Sequence, residues 1–106
     1  MLAADLGTQL WREFWVSLAS LLRSYTAAHG LNRKEQATVE LGEDRITVRA
    51  GLRWLRLDRQ RSEVLWTRED GTTGTMTLTE DGKLKSAAGE EEMDMQAEAW
   101  ARELMQ

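Results

Sequence analysis

The chain has no cysteine, no proline and a single histidine in 106 residues. Without cysteine there is no disulfide framework, no thiol nucleophile, no cysteine-based zinc site and no thiolate-held iron–sulfur cluster. His29 alone cannot supply a metal site that needs two or three imidazoles. It leaves room only for histidine chemistry in which His29 is itself the base. The lack of proline removes cis-proline turns and proline-rich linkers. No apolar run approaches the roughly 20 residues of a membrane-spanning helix, and the N-terminus lacks the basic segment of a signal peptide. These absences fit a cytoplasmic protein. No cofactor motif is present either. Gly71-Thr72-Thr73-Gly74 lacks the lysine and the following helix of a phosphate-binding loop, and reads as a hairpin loop.

Hydrophobic residues make up 42% of the chain and charged residues 30%, the balance of one globular domain spanning 1–106. Five tryptophans must be shielded from water, so they mark the core and any binding surface. The formal charge is −4, and the acidity lies in the C-terminal part, around Glu90-Glu91-Glu92.

One stretch organises the rest. On a helical wheel of about 100° per residue, Leu6, Leu10, Trp11, Phe14, Trp15, Leu18, Leu21, Leu22 and Tyr25 fall on one arc. Asp5, Gln9, Arg12, Glu13, Ser20, Arg23 and Ser24 fill the other, and only Val16 is misplaced. A helix over 5–29 follows, with Asp5 or Thr8 as N-cap and Gly30 closing it in the left-handed conformation while Leu31 folds back. Each large apolar side chain contributes roughly 1.5–3 kcal/mol on burial, so this face must cover something. The two arginines of the polar arc are balanced by Asp5 and Glu13, which disfavours a membrane surface.

The middle of the chain reads as short strands: 37–41, 45–49, 52–58, 63–69, 75–79 and 83–85. Ile46 and Val48 alternate with Arg45, Thr47 and Arg49; Met76 and Leu78 alternate with threonines. With Ala50-Gly51 as a two-residue loop, Thr47 faces Trp54, Arg45 faces Arg56, and Ile46 faces Leu55. Leu65 and Trp66 cannot share a side of the fourth strand. Glu80-Asp81-Gly82 signals a hairpin, and Lys83 and Lys85 suit a sheet edge. Glu90, Glu91 and Glu92 sit where a second helix would start, and Met93, Ala97, Trp100 and Leu104 give it an apolar stripe. The expected fold is therefore α+β: a long N-terminal helix, a five- or six-stranded antiparallel meander and a C-terminal helix, with both helices on one face.

Two clusters could carry chemistry. Arg45, Arg49, Trp54 and Arg56 share the face away from the helices, Trp66 is the fifth candidate binding residue, and arginine and tryptophan are types enriched in binding hot spots. Clustered carboxylates, Glu90, Glu91 and Asp94, could hold a hard cation weakly. The pI near 5.0 argues against nucleic acid as the partner of the arginine face.

Val39-Glu40-Leu41, Ile46-Thr47-Val48, Leu55-Arg56-Leu57-Asp58-Arg59-Gln60 and Val64-Leu65-Trp66 resemble, in kind and order, the first four strands of frataxins. The resemblance implies a helix–meander–helix fold and a role in metal handling, with Trp66 in the place of that family's exposed sheet tryptophan. The family's acidic ridge on the first helix has only Asp5 and Glu13 as counterparts here. The leading expectation is a small non-enzymatic binding or adaptor domain with a protein partner. A frataxin-like metal-handling protein is the alternative. The apolar first helix also leaves homo-oligomerisation open.

Overall fold

A computed structural model describes residues 8–31, 36–61 and 63–106. Helix α1 (Thr8–His29) is followed by seven strands and helix α2 (Met93–Leu104). The strands are β1 (Thr38–Leu41), β2 (Arg45–Ala50), β3 (Arg53–Gln60), β4 (Glu63–Arg68), β5 (Thr73–Leu78), β6 (Lys83–Ser86) and β7 (Gly89–Glu92). Every neighbouring pair is antiparallel and the spatial order is the chain order, β1 to β7. The expected α+β architecture is present, with both helices packed on the sheet and on each other.

The apolar arc of α1 behaves as its wheel requires. Trp11, Trp15, Leu18, Ala19 and Leu22 are buried, while Phe14, Leu21 and Tyr25 are half-buried beside them. Val16, the misplaced residue, is 47% exposed. Trp11 and Trp15 meet edge to face with centroids 5.8 Å apart, and the Trp15 Nε1–H donates to the Gly42 carbonyl at 3.1 Å. Under the helices lie Ile46, Val48, Leu55, Leu57, Val64, Leu78 and Leu84. The α2 stripe of Met93, Ala97, Trp100 and Leu104 is buried as expected, joined by Ala101.

Several local expectations are corrected. The proposed caps and Leu6 fall partly on residues 1–7, which lie outside the described residues. Gly30 does not take a positive φ. Its lack of a side chain serves a close approach, since a Cβ there would meet the Met105 Cε at 2.9 Å. Leu31 does not fold back and is 82% exposed.

The β2–β3 loop is Gly51-Leu52, with Gly51 at φ 63 supplying the positive dihedral such a loop needs. The register therefore slides by two residues, to Arg49↔Trp54, Thr47↔Arg56 and Ile46↔Leu57. Because strand side chains alternate with period two, the same residues stay on the same faces. Gly74 is not a loop residue. It pairs with Trp66 inside β5, and a Cβ there would lie 2.7 Å from the indole.

The acidic run forms β7 and not the first turn of α2. Lys83↔Glu92 and Lys85↔Glu90 are cross-strand partners, so β6 is an interior strand and β7 the edge. Opposite charges on facing positions favour this pairing over a helix start.

Candidate functional site

Beyond its buried positions, β3 alternates Trp54, Arg56 and Asp58 on one side with Arg53, Leu55, Leu57 and Arg59 on the other. The first set lies on the face that neither helix covers. Cross-strand pairing brings Arg45, Thr47 and Arg49 beside it from β2. Arg45, Thr47, Arg49, Trp54 and Arg56 together line a shallow cleft of about 180 Å³. Four of the expected binding residues are thus adjacent.

Asp58 ties two of the three arginines of this patch together. Asp58 accepts from Arg45 Nε at 2.6 Å and from Arg56 Nε at 3.0 Å. Arg56 also lies over the Trp54 ring, 5.7 Å from its centroid. The Trp54 backbone N–H, beyond the last β3–β4 pair, donates to Glu69 Oε1 at 3.0 Å. Among the described residues Arg49 meets only Glu40, at 3.7 Å, and both are largely exposed. Three guanidiniums therefore face two carboxylates, with Arg49 the least committed. Exposed pairs of this kind hold about 0–1 kcal/mol each and exchange readily for a partner's carboxylate.

Trp66, the fifth expected residue, is on the other side. It is paired with Leu57, half-buried, and packed against the core. Its parity with Val64 decides the facing that Leu65 and Trp66 left open, and Leu65 is the one that turns outward.

The proposed cation site does not assemble. Glu90 and Glu91 are consecutive on β7 and point to opposite faces. The Asp94 carboxylate accepts from the Met95 backbone N–H at 2.9 Å. Among the described residues no group of three or more acidic or histidine side chains could hold a metal ion.

Sequence reasoning missed a second arginine set on the helix side. Arg53 Nη1 donates to the carbonyls of Glu103 and Gln106, at 3.0 and 3.1 Å, and so closes the end of α2. Arg68 lies over Trp66 at 5.2 Å and pairs with Glu103 at 2.6 Å. Arg59 lies over Trp11 at 4.5 Å. Strict alternation from Trp54 along β3 was the available signal for Arg53 and Arg59, whereas Arg68 lies on β4 and shares the parity of Val64. His29 Nε2 meets Glu98 Oε2 at 2.7 Å, and Arg102 holds the other oxygen of Glu98 at 2.8 Å. The lone histidine thereby ties the end of α1 to α2.

Among the described residues no helix is long and apolar enough to cross a membrane. No protein-family model, no curated protein and no solved structure matches the chain.

Proposed function

We propose that the protein is a small non-enzymatic binding domain that engages a protein partner through the bare face of its sheet. The observation that carries this reading is the convergence of Arg45, Arg49, Trp54 and Arg56 on one cleft, on the face opposite both helices. Trp54 offers a rigid apolar contact and the arginines offer planar donors, so a partner surface bearing carboxylates beside an apolar side chain is the complement. The Asp58 carboxylate orders Arg45 and Arg56 before binding, which lowers the entropy lost on association.

The test compares capture of partners by the native chain with capture by a Trp54→Ala/Arg49→Ala double variant. Affinity should fall at least about tenfold, the effect of losing about 1.4 kcal/mol. The thermal midpoint should stay nearly unchanged. Retained capture, or a collapse of the midpoint, overturns the reading.

A further inference from the structure

The two edges of the sheet differ in how they are guarded. β7 presents Glu90, Glu91 and Glu92. β1, Thr38-Val39-Glu40-Leu41, carries one charge and no proline, and Leu41 is 39% exposed. The Gly42 N–H donates to the Arg45 carbonyl at 2.7 Å. Alternation of the antiparallel ladder from that bond makes Glu40↔Thr47 and Thr38↔Arg49 hydrogen-bonded pairs. The N–H and C=O of Val39 and Leu41 then point outward from the sheet. Among the described residues no backbone group pairs with them.

Helix α1 lies against β1, with Val16 near Leu41 and Ala27 near Ala37, so the two run antiparallel. At one end, Arg12, Trp15 and Val16 of α1 meet Leu41 in a cleft of about 350 Å³. Glu43, Asp44 and Arg59 close its far side, the last two 3.8 Å apart. At the other end, Thr26, Ala27 and Leu31 meet Ala37 in a cleft of about 200 Å³. Arg12, Val16, Arg23 and Ala27 follow at helical spacing along this flank, which places Arg23 between the clefts. Neither Arg12 nor Arg23 has an ion-pair partner among the described residues. The lengths agree: eleven residues of helix from Val16 to Ala27 rise about 16 Å, and Ala37 to Leu41 extends about 13 Å.

We propose that the edge of β1 and the flank of α1 above it bind an extended acidic–apolar peptide segment as an eighth strand. Aliphatic side chains four residues apart enter the two clefts, and a carboxylate midway between them faces Arg23. Strand addition supplies the affinity through main-chain bonds, and the clefts supply the selectivity. A second copy of the chain fits this edge poorly. The two-fold register that sets Val39 against Leu41 also sets Glu40 directly against Glu40, which is repulsive. The register that sets Val39 against Val39 offers only Ala37 to the larger cleft. The site is separate from the outer face and does not depend on the reading of that face.

The experiment titrates the ¹⁵N-labelled full chain with three blocked peptides. The first is Thr-Leu-Thr-Glu-Thr-Leu-Thr. The second replaces its Glu by Lys, and the third, Thr-Leu-Thr-Glu-Leu-Thr-Thr, puts the leucines on opposite faces. The first should shift the amides of Val39 and Leu41 and the indole N–H of Trp15. The other two should bind at least about tenfold more weakly. Arg23→Glu should reverse the preference between the Glu and Lys peptides. Val39→Pro, which removes an outward N–H and spares the ladder to β2, should weaken the first peptide at least about tenfold. Trp54→Ala should bind like the native chain. Any one of four results overturns the proposal: no binding at millimolar peptide, equal binding by all three peptides, an unchanged preference in Arg23→Glu, or a β1-mediated dimer that Val39→Pro dissolves. Arg23 is exposed on α1, so its variant decides the matter even if Val39→Pro fails to fold.

Discussion

The two faces of the sheet use the same residue types for opposite ends. On the helix side, Arg53, Arg59 and Arg68 are spent on structure: one closes α2, one lies over Trp11, and one lies over Trp66 while pairing with Glu103. On the bare side, among the described residues, Arg45, Arg49 and Arg56 meet only carboxylates of the sheet itself and the ring of Trp54. Arginine over tryptophan therefore does not identify a binding face. What the guanidinium does with its remaining donors does, and on the helix side those donors hold other elements in place.

The comparison breaks most severely if the buried side of β3 is emptied. Leu57 is fully buried beneath the helices, between Arg56 and Asp58 of the bare face. Leu57→Ala should cost about 2–5 kcal/mol, through lost transfer energy and the cavity left behind. For a domain of this size each kcal/mol lowers the thermal midpoint by about 4–8 °C. Urea and thermal unfolding measure both, and a loss below 1 kcal/mol would show that the helices do not seal this face.

The next effect concerns Trp66. Its indole occupies the space where Gly74 has no side chain. Gly74→Val should cost about 1–3 kcal/mol by overpacking, despite the better strand propensity of valine. Adding Trp66→Leu should recover part of the loss in a double-mutant cycle. Additive costs would mean that Trp66 does not lie over Gly74.

A smaller effect separates the two arginine sets directly. Arg53→Ala should cost about 1 kcal/mol, because two carbonyls at the end of α2 lose their donor. Arg49→Ala should change stability by less than about 0.5 kcal/mol, since its exposed contact with Glu40 is long. Equal losses would erase the distinction between a structural and a free set.

Much of this was legible in the chain. Periodicity located both helices, and alternation placed Ile46, Val48, Leu55, Met76 and Leu78 inward. It also placed Arg45, Arg49, Trp54 and Arg56 together. The face assignment survived a wrong loop because a two-residue slip preserves parity. Trp66 was not legible, because Val64-Leu65-Trp66 is apolar on both parities and only the burial of Val64 beneath the helices decides between them. The run Glu90-Glu91-Glu92 was misread because carboxylates suit a helix start and also suit a strand facing lysines. Only the β6 partner, at Lys83 and Lys85, discriminates.

The smallest expected effect lies at the strand ends, which belong to neither face. Glu69-Asp70-Gly71 and Glu80-Asp81-Gly82 build the same hairpin. The glycine N–H bonds back three residues, to Arg68 and to Thr79, and the glycine takes a positive φ of 89° or 79°. The Thr72 hydroxyl donates to Asp70 at 2.6 Å and the Thr72 N–H donates at 3.0 Å, holding the Asp70 carboxyl below its ordinary value. The Thr79 hydroxyl does the same for Asp81 at 2.6 Å. A carboxyl lowered on folding binds fewer protons in the native state. Its stabilisation is complete above the unfolded value of about 3.9 and fades as pH falls through the lower folded value. Asp70→Asn/Asp81→Asn should therefore lower the neutral region of the stability curve slightly, leave the region well below about pH 4 almost unmoved, and so flatten the acid limb between them. Denaturant midpoints taken across that range measure the slope. An unchanged acid limb would mean that these turns hold their aspartates no more tightly than the unfolded chain does, and that acid sensitivity arises on the two faces instead.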